Sequence, residues 1–320
     1  MVRQGQGRER GEKTIESLIP SDFQGPGEVR AADNPPVLAG TYRPFMSNAG
    51  LDPAQEVTVL DQYGNLTKVK AAAEIPLTLK VGGQEIVTLM TLGTVPENLI
   101  LGYLRNQRLV DKLEDIVSVK VDWTAEVADV VLVRGASVEQ LQNDTRHRIV
   151  TTGCGQGTIY SCSLDKLYDH RLPAVDVYQS QIYAALKQVA CFNPVYRQTG
   201  SVHGCALFID GQVYCFVEDV GRHNAMDAIA GEIWLNPIHG VDILFYTTGR
   251  LTSEIVMKSA LMGIPVLVSR NGVTQMAIEL AQDLGVMLVA RAKSRHFQVF
   301  SCHDQLVLDA IPPVKTRLNK

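Results

Sequence analysis

The sequence has few cysteines, no large excess of either charge and no long apolar run. Its six cysteines are scattered over 320 residues without a C-x-x-C pair, which excludes a disulfide framework and argues against structural zinc. The 30 Lys and Arg residues balance 34 Asp and Glu residues, so the net charge of −4 favours no nucleic acid. No segment approaches the ~18 apolar residues that cross a bilayer, and the first residues lack a signal peptide's apolar stretch. We expect a cytoplasmic protein that binds neither nucleic acid nor membrane.

The composition is that of a globular protein with an extra N-terminal segment. Hydrophobic residues make up 46% of the chain and charged residues 20%, which is ordinary for a folded domain. Residues 1–50 are rich in Gly and Pro and have no apolar period. Such a segment buries too little surface to offset its chain entropy. It is predicted to be a flexible tail.

Residues 51–150 are predicted to form a smaller mixed α/β region. Short β-branched segments such as IPLTLKV and QEIVTLMTL are bounded by Gly turns, as strands are. The segment PENLILGYLRNQRLV begins with Pro and Glu and has one apolar face, which indicates a helix.

Residues 173–320 are predicted to form a C-terminal α/β domain that binds a cofactor, after a glycine-rich cysteine loop at 151–172. Strands alternate with helices here, which favours a sheet covered by helices on both faces. Its first two strands form a hairpin about Asp210-Gly211, with Cys205 expected opposite Phe216. That register places Cys205 and Cys215 on opposite faces, where they cannot bond to each other.

Three loops of this domain are predicted to form an anion-binding edge. They are EDVGRHN, TTGRLTS and SRNGVT, and each joins a strand to a helix. The carboxyl ends of strands in such sheets gather at one edge, and helix N-terminal N–H groups favour anions there. The loops supply four candidate ligand-binding residues: Arg222, His223, Arg250 and Ser269. The alternative is that these loops hold ordinary helix caps and solvated arginines.

Two histidines near these loops could serve as acid, base or ligand. His223 lies in a polar loop beside an arginine, which makes it the better candidate. For His203, at the start of a strand, we expect a structural role.

A basic run follows the last interior strand on the same side of the sheet. Its charged groups could clamp phosphates, although a short charged run can equally be a solvated turn. The run consists of Arg291, Ala292, Lys293, Ser294, Arg295 and His296.

The sharpest chemical feature is Cys154 in the segment TTGCGQG. Dense glycines leave a thiol accessible and let backbone N–H groups point at its sulfur. Such a setting can lower a thiol pKa from about 8.5 toward neutrality and so produce a reactive thiolate. The alternative is a flexible linker with an incidental cysteine.

Several motifs resemble those of the FdhD family of formate dehydrogenase accessory proteins. They are QTGSVHGCALF, EDVGRHNAMD, TTGRLTSEIVMKSALMGIPVLVS and VTQMAIELAQDLGVMLVARA, together with the Cys154 loop. The resemblance implies a cytidine deaminase-like α/β fold, a homodimer and a sulfur carrier acting as a sulfurtransferase. Sulfur would come from a cysteine desulfurase and pass to the molybdenum bis(molybdopterin guanine dinucleotide) cofactor before it enters formate dehydrogenase or a related molybdoenzyme.

Carried over residue by residue, the resemblance makes Cys154 the cysteine that carries sulfur as a persulfide. It makes the run from Arg291 to His296 part of the site for the guanine dinucleotide cofactor. The chain departs from a C-x-x-C pattern common in that family, because Gly157 stands where the second cysteine would be. A relay between two cysteines of such a C-x-x-C pair is therefore impossible. Cys162 could substitute for the second cysteine, but we expect a buried or idle thiol there.

Three other functions compete with the carrier. A zinc-dependent deaminase needs H-x-E with P-C-x-x-C, and the sequence has neither. A non-catalytic chaperone for a molybdenum cofactor would use the anion edge without using Cys154, and the missing second cysteine favours it. A paralogue serving another molybdenum or tungsten enzyme is the third.

Overall fold

The computed structural model describes residues 42–133, 148–151, 157–160, 171–238 and 242–313. They form a mixed α/β structure. The helices are α1 Pro96–Asn106, α2 Gln179–Val189, α3 Pro194–Thr199, α4 Arg222–Leu235, α5 Ser253–Leu261 and α6 Gln275–Leu284. The strands are β1 Phe45–Met46, β2 Ala54–Leu60, β3 Leu66–Ala72, β4 Ile75–Val81, β5 Gln84–Thr91, β6 Ile116–Asp122, β7 Val127–Leu132, β8 Arg148–Thr151, β9 Gly157–Tyr160, β10 Val177–Tyr178, β11 His203–Ile209, β12 Gln212–Asp219, β13 Ile243–Thr247, β14 Val266–Ser269, β15 Met287–Lys293, β16 His296–Val299 and β17 Leu306–Val307.

A six-stranded sheet forms the centre of the C-terminal half. Its order is β12-β11-β13-β14-β15-β16, with β13, β14 and β15 parallel and the outer pairs antiparallel. Helices α4, α5 and α6 pack on one face and α2 packs on the other. The expected sheet with helices on both faces is confirmed. It is mixed because two hairpins flank the parallel centre.

A second sheet, β1-β6-β7-β4-β5, packs one face on helix α1. It includes residues that the sequence placed in the tail, because Phe45–Met46 pairs with Ser118–Val119. The hydroxyl of Tyr42 donates to the carbonyl of Ile116 at 2.6 Å. A short edge strand is too brief to show a period in the sequence, so this boundary was misplaced. Residues 1–41 lie outside the described residues.

Helices α1 and α4 bring the two sheets together. They cross at two glycines: a Cβ on Gly102 would lie 1.6 Å from the carbonyl oxygen of Asp227, and a Cβ on Gly231 would lie 2.0 Å from that of Asn98. Only glycine permits so close a backbone approach. Helix α4 is buried nearly all round, because it contributes to the cores of both sheets.

The β11–β12 hairpin has a different register from the predicted one. A bulge between Leu207 and Phe208 shifts the pairing, so Cys205 lies opposite Val217 and Leu207 opposite Cys215. Cys205 and Cys215 therefore contact the same hydrophobic core, and the prediction of opposite faces was wrong. Both thiols are free, as expected.

Strands β2 and β3 form a separate antiparallel hairpin, residues 54–72, which we call the arm. Most of its side chains are exposed. Among the residues that the structure describes, no helix is long and apolar enough to cross a membrane.

Candidate functional site

Four strands end at one edge of the six-stranded sheet, as the sequence predicted. Strands β12 to β15 all run toward this edge, and β11 begins there. Hydrogen bonds join the loops side by side: the Thr248 N–H donates to the carbonyl of Gly204 at 2.9 Å, and the Asn271 amide donates to the carbonyl of Thr248 at 2.8 Å. The Arg291 N–H donates to the carbonyl of Asn271 at 2.8 Å. The edge is thus a continuous surface.

The acidic residues of the first loop motif, EDVGRHN, mainly stabilise neighbouring elements of the fold. The carboxylate of Glu218 accepts hydrogen bonds from the backbone N–H groups of Val195 and Tyr196, both at 2.9 Å, and so caps helix α3. Burial raises the pKa of Glu218, although these two N–H groups oppose the shift. The acidic residue fixes the short helix that flanks the sheet edge.

Asp219 joins the two sheets. Its carboxylate accepts hydrogen bonds from the Thr91 hydroxyl at 2.6 Å, the Leu92 N–H at 3.1 Å and the Asn224 amide at 2.9 Å. Burial raises the pKa of Asp219, and the hydrogen bonds act in the opposite direction. Asn224 therefore lies within helix α4, where its side chain bonds to Asp219, and it is not the residue that caps this helix.

Arg222 and His223 are the first two residues of helix α4, and both are buried. His223 Nε2 lies 3.2 Å from Glu254 Oε2, and Lys258 Nζ lies 3.1 Å from Glu254 Oε1 and 2.8 Å from Asp227 Oδ2. Burial, Lys258 and Arg222 lower the pKa of His223 well below its usual value. Burial would lower the pKa of Lys258, but Asp227 and Glu254 outweigh it and raise that pKa. His223 thus belongs to a charged cluster in the core.

A cavity of about 1080 Å³ opens at the sheet edge. Helix α2 and the segment around helix α3 form one wall, and the ends of β13, β14 and β15 form the other. Its main lining residues are Tyr183, Lys187, Asn193, Tyr196, Ser201, Val202, His203, Val220, Tyr246, Thr248, Arg270, Asn271, Ala292, Lys293, Ser294 and Arg295.

The charged residues in the lining of this cavity are all positive. Its lining includes Lys187, Arg270, Lys293 and Arg295 and, among the residues described, no carboxylate. Three tyrosines add flat aromatic surface. Cationic side chains bind phosphates by charge-assisted hydrogen bonds, and aromatic rings pack against planar groups. The cavity is therefore suited to an anionic ligand with a planar part.

The two histidines are placed the other way round from the sequence expectation. His203 lines the cavity, with Nδ1 3.2 Å from the Thr248 hydroxyl, whereas His223 is buried in the charged cluster. Burial lowers the pKa of His203, and Arg222 adds to the shift. A neutral imidazole at the cavity can accept a hydrogen bond.

The basic run forms a hairpin with a two-residue turn. Arg291–Lys293 belong to β15 and His296 to β16, and only Ser294 and Arg295 form the turn. The expected loop is shorter because Lys293 pairs with His296 after a bulge. Ala292, Lys293, Ser294 and Arg295 line the cavity, whereas Arg291 and His296 are exposed and not in its lining.

The remaining predicted residues lie at the edge but outside the cavity lining. Ser269 is fully buried, donates to the carbonyl of Gly249 and accepts from the Asn271 N–H at 2.9 Å. It shapes the loop that carries Arg270. Arg250 is exposed, and Arg222 packs against Gly249, where a Cβ would lie 2.3 Å from Arg222 Cδ. Neither lines the cavity.

Sequence reasoning missed several lining residues. Arg270 and Asn271 stand in the motif SRNGVT, so strand order could have found them. Lys187, Tyr183 and Tyr196 come from helices α2 and α3, which precede the motifs. Nothing in their local pattern shows that these helices pack at the sheet edge.

Cys154 lies outside the described residues. Strands β8 and β9 flank its segment in the chain, with Thr151 paired with Gly157. Residues 152–156 join these two strands.

The comparison with known families decides the classification. The model of the FdhD/NarQ family matches residues 72–307, most of the chain. The chain belongs to the FdhD/NarQ family. Its members include two curated relatives named sulfur carrier protein FdhD. The one from Bacillus licheniformis is 29% identical over 237 residues, covering 73% of this chain and 89% of the relative. The one from Bacillus subtilis is 26% identical over 243 residues, covering 75% and 92%.

A solved structure agrees with this family assignment. A crystal structure assigned to a formate dehydrogenase accessory protein from Desulfotalea psychrophila matches with a TM-score of 0.62 and 26% identity. The match covers 79% of this chain and 98% of that one. The family match at residues 72–307 includes strands of both sheets.

Proposed function

We propose that this FdhD/NarQ protein is a sulfur carrier for the maturation of formate dehydrogenase. In the proposal it acts in the cytoplasm as a homodimer with a cytidine deaminase-like C-terminal domain. The family and the names of its relatives support the sulfur carrier role. The mixed six-stranded sheet with helices on both faces supports the proposed fold.

Cys154 is the proposed carrier residue. Its thiolate attacks the outer sulfur of a persulfide on a cysteine desulfurase, the sulfur–sulfur bond breaks, and the desulfurase leaves as a thiolate. Cys154 then holds the sulfur as a persulfide. Thiolate exchange of this kind depends on access and a low thiol pKa rather than on a fixed general base, and the glycines around Cys154 suit it.

The substrate that receives the sulfur is the molybdenum bis(molybdopterin guanine dinucleotide) cofactor. One observation carries this part of the proposal: the cavity is lined by Lys187, Arg270, Lys293 and Arg295 and by three tyrosines. The cofactor carries two pyrophosphates and planar ring systems, so its charge and its planar groups match this lining. The basic turn and the loop after β14 would hold pyrophosphate, and the tyrosines would pack on planar groups.

A second candidate is a chaperone that binds the same cofactor without carrying sulfur. It is favoured by Gly157, because the TTGCGQG segment has no second thiol that could attack the inner sulfur of a Cys154 persulfide and form a disulfide as the outer sulfur leaves. The two functions share the cavity and differ only at Cys154.

Complementation separates them. A strain that lacks its own FdhD/NarQ protein is supplied with wild type, Cys154→Ala or Arg270→Ala, and formate dehydrogenase activity is assayed. A sulfur carrier loses activity with Cys154→Ala and with Arg270→Ala. If Cys154→Ala supports full activity and Arg270→Ala does not, the chaperone is the correct function.

A further inference from the structure

The arm at residues 54–72 has two chemically different faces. Side chains alternate along each strand, so every second residue shares a face. One face carries the only ion pair of the arm, between Lys68 and Glu56 at 2.6 Å, and also Lys70. The other face has no charge and consists of Gln55, Val57, Val59, Thr67, Val69 and Ala71. We call this second face the valine face.

The turn at the tip of the arm is held by hydrogen bonds and displays three exposed apolar or aromatic side chains. The Asp61 carboxylate accepts hydrogen bonds from the N–H groups of Tyr63 at 2.9 Å and Asn65 at 2.8 Å, which fixes the turn. The turn displays Tyr63, which is 80% exposed, between Leu60 at 67% and Leu66 at 75%. Tyrosine is favoured at the energetic centres of interfaces, and a preformed turn loses little entropy on binding.

The base of the arm is joined to the wall of the cavity. Ala72, at the end of β3, packs in a small hydrophobic cluster with Val195, Val202 and Val220. Val202 and Val220 also line the cavity. Helix α3, which packs against the arm, contributes Tyr196 to the same lining. A protein that binds the arm is therefore held beside the cavity.

We propose that the arm is the docking surface for the enzyme that receives the cavity's ligand, which is cofactor-free formate dehydrogenase. This inference rests on the proposed function. A cysteine desulfurase has to meet only Cys154, whereas the receiving enzyme has to take a ligand out of the cavity. The arm's connection to the cavity wall therefore favours the receiver.

The size of the arm argues for a transient partner over a second copy of the chain. With seven residues per strand, one face of two strands measures on the order of 200 Å². A stable interface buries ~800 Å² on each partner. An isolated hairpin is also marginally stable in water, so contact on the valine face would stabilise it.

The test compares neighbouring residues on opposite faces of one strand. Val59→Glu puts a charge on the valine face, and Tyr63→Ser removes the aromatic side chain at the tip. Thr58→Glu is the matched control, since Thr58 lies on the charged face opposite Lys68. The dissociation constant of each full-length variant is measured with the cofactor-free catalytic subunit of formate dehydrogenase. Unfolding midpoint, molar mass and sulfur uptake by Cys154 are measured on the same samples.

Val59→Glu and Tyr63→Ser are expected to weaken binding about tenfold or more, with Thr58→Glu within about twofold of wild type. The unfolding midpoint, the molar mass and the sulfur uptake by Cys154 are expected to stay unchanged in all variants. The proposal is overturned if wild type does not bind the subunit, or if Val59→Glu and Tyr63→Ser bind like wild type. It is also overturned if Val59→Glu lowers the molar mass, because the valine face then holds a second copy. Failure of sulfur uptake by wild type contradicts the proposed function instead, whatever the arm variants bind.

Discussion

His223 Nε2 lies 3.2 Å from Glu254 Oε2, and both side chains are buried where the first turns of helices α4 and α5 meet. Burial raises the pKa of Glu254 and lowers that of His223, so the folded state favours the neutral imidazole. Lys258 supplies the positive charge of the cluster and contacts both Asp227 and Glu254. The cluster ties α4 to α5 beneath the sheet edge.

This arrangement predicts a loss of stability in mild acid. The unfolded chain binds a proton at His223 below about pH 6.5, while the folded protein keeps this histidine neutral. Its contribution to the free energy of unfolding is thus present above pH 6.5 and lost as the pH falls, by up to ~1.4 kcal/mol per pH unit. Urea unfolding at about pH 7.5 and about pH 5.5 should show a smaller loss for His223→Gln than for wild type. Equal losses in the two proteins would contradict the assignment.

The crossing of α1 and α4 predicts a steric effect on stability. Gly231→Ala places a methyl group 2.0 Å from the carbonyl oxygen of Asn98, which forces the helices apart. We expect it to lower the free energy of unfolding by about 3 kcal/mol. Gly272→Ala is the control, because its Cβ would meet no atom within 4 Å. Similar urea midpoints for the two variants would show that the helices do not cross this closely.

The lining of the cavity indicates which cationic residues at the sheet edge bind the ligand. Arg270→Ala and Lys293→Ala each remove a cationic lining residue, and each should weaken the binding of guanosine diphosphate about tenfold. Arg250→Ala should leave binding unchanged, because Arg250 is exposed at the same edge but outside the lining. Isothermal titration calorimetry measures all three. An equal effect of Arg250→Ala would favour the site predicted from the sequence over the cavity.

The sequence predicted most elements because their patterns are local. Periods of about two and 3.6 residues marked the strands and helices, and the alternation of strand and helix predicted a common edge. It could not reveal the bulge at Leu207, which moved Cys215 to the other face, since a bulge depends on the partner strand. Long-range packing also determines which histidine lines the cavity. His223 was predicted in a polar loop beside Arg222, yet Glu254 and Lys258 enclose it.

Only part of the candidate site could be predicted, because local patterns are visible in the sequence and long-range packing is not. Lys293 ends strand β15 and Arg295 follows it, and the sequence could locate the end of this strand, so their place at the edge was predictable. Lys187 lies on helix α2, whose apolar residues Ile182 and Leu186 predict a buried face but not the neighbour that covers it. The cavity wall formed by α2 therefore required the structure.

The most direct test of the central claim is the mass of the protein after incubation with a cysteine desulfurase and free cysteine. Wild type and Cys154→Ala are compared by intact mass spectrometry before and after reduction. The account predicts that wild type alone gains the mass of one sulfur atom and that reduction removes it. An equal gain on Cys154→Ala, or no gain on wild type with an active desulfurase, would contradict Cys154 as the carrier.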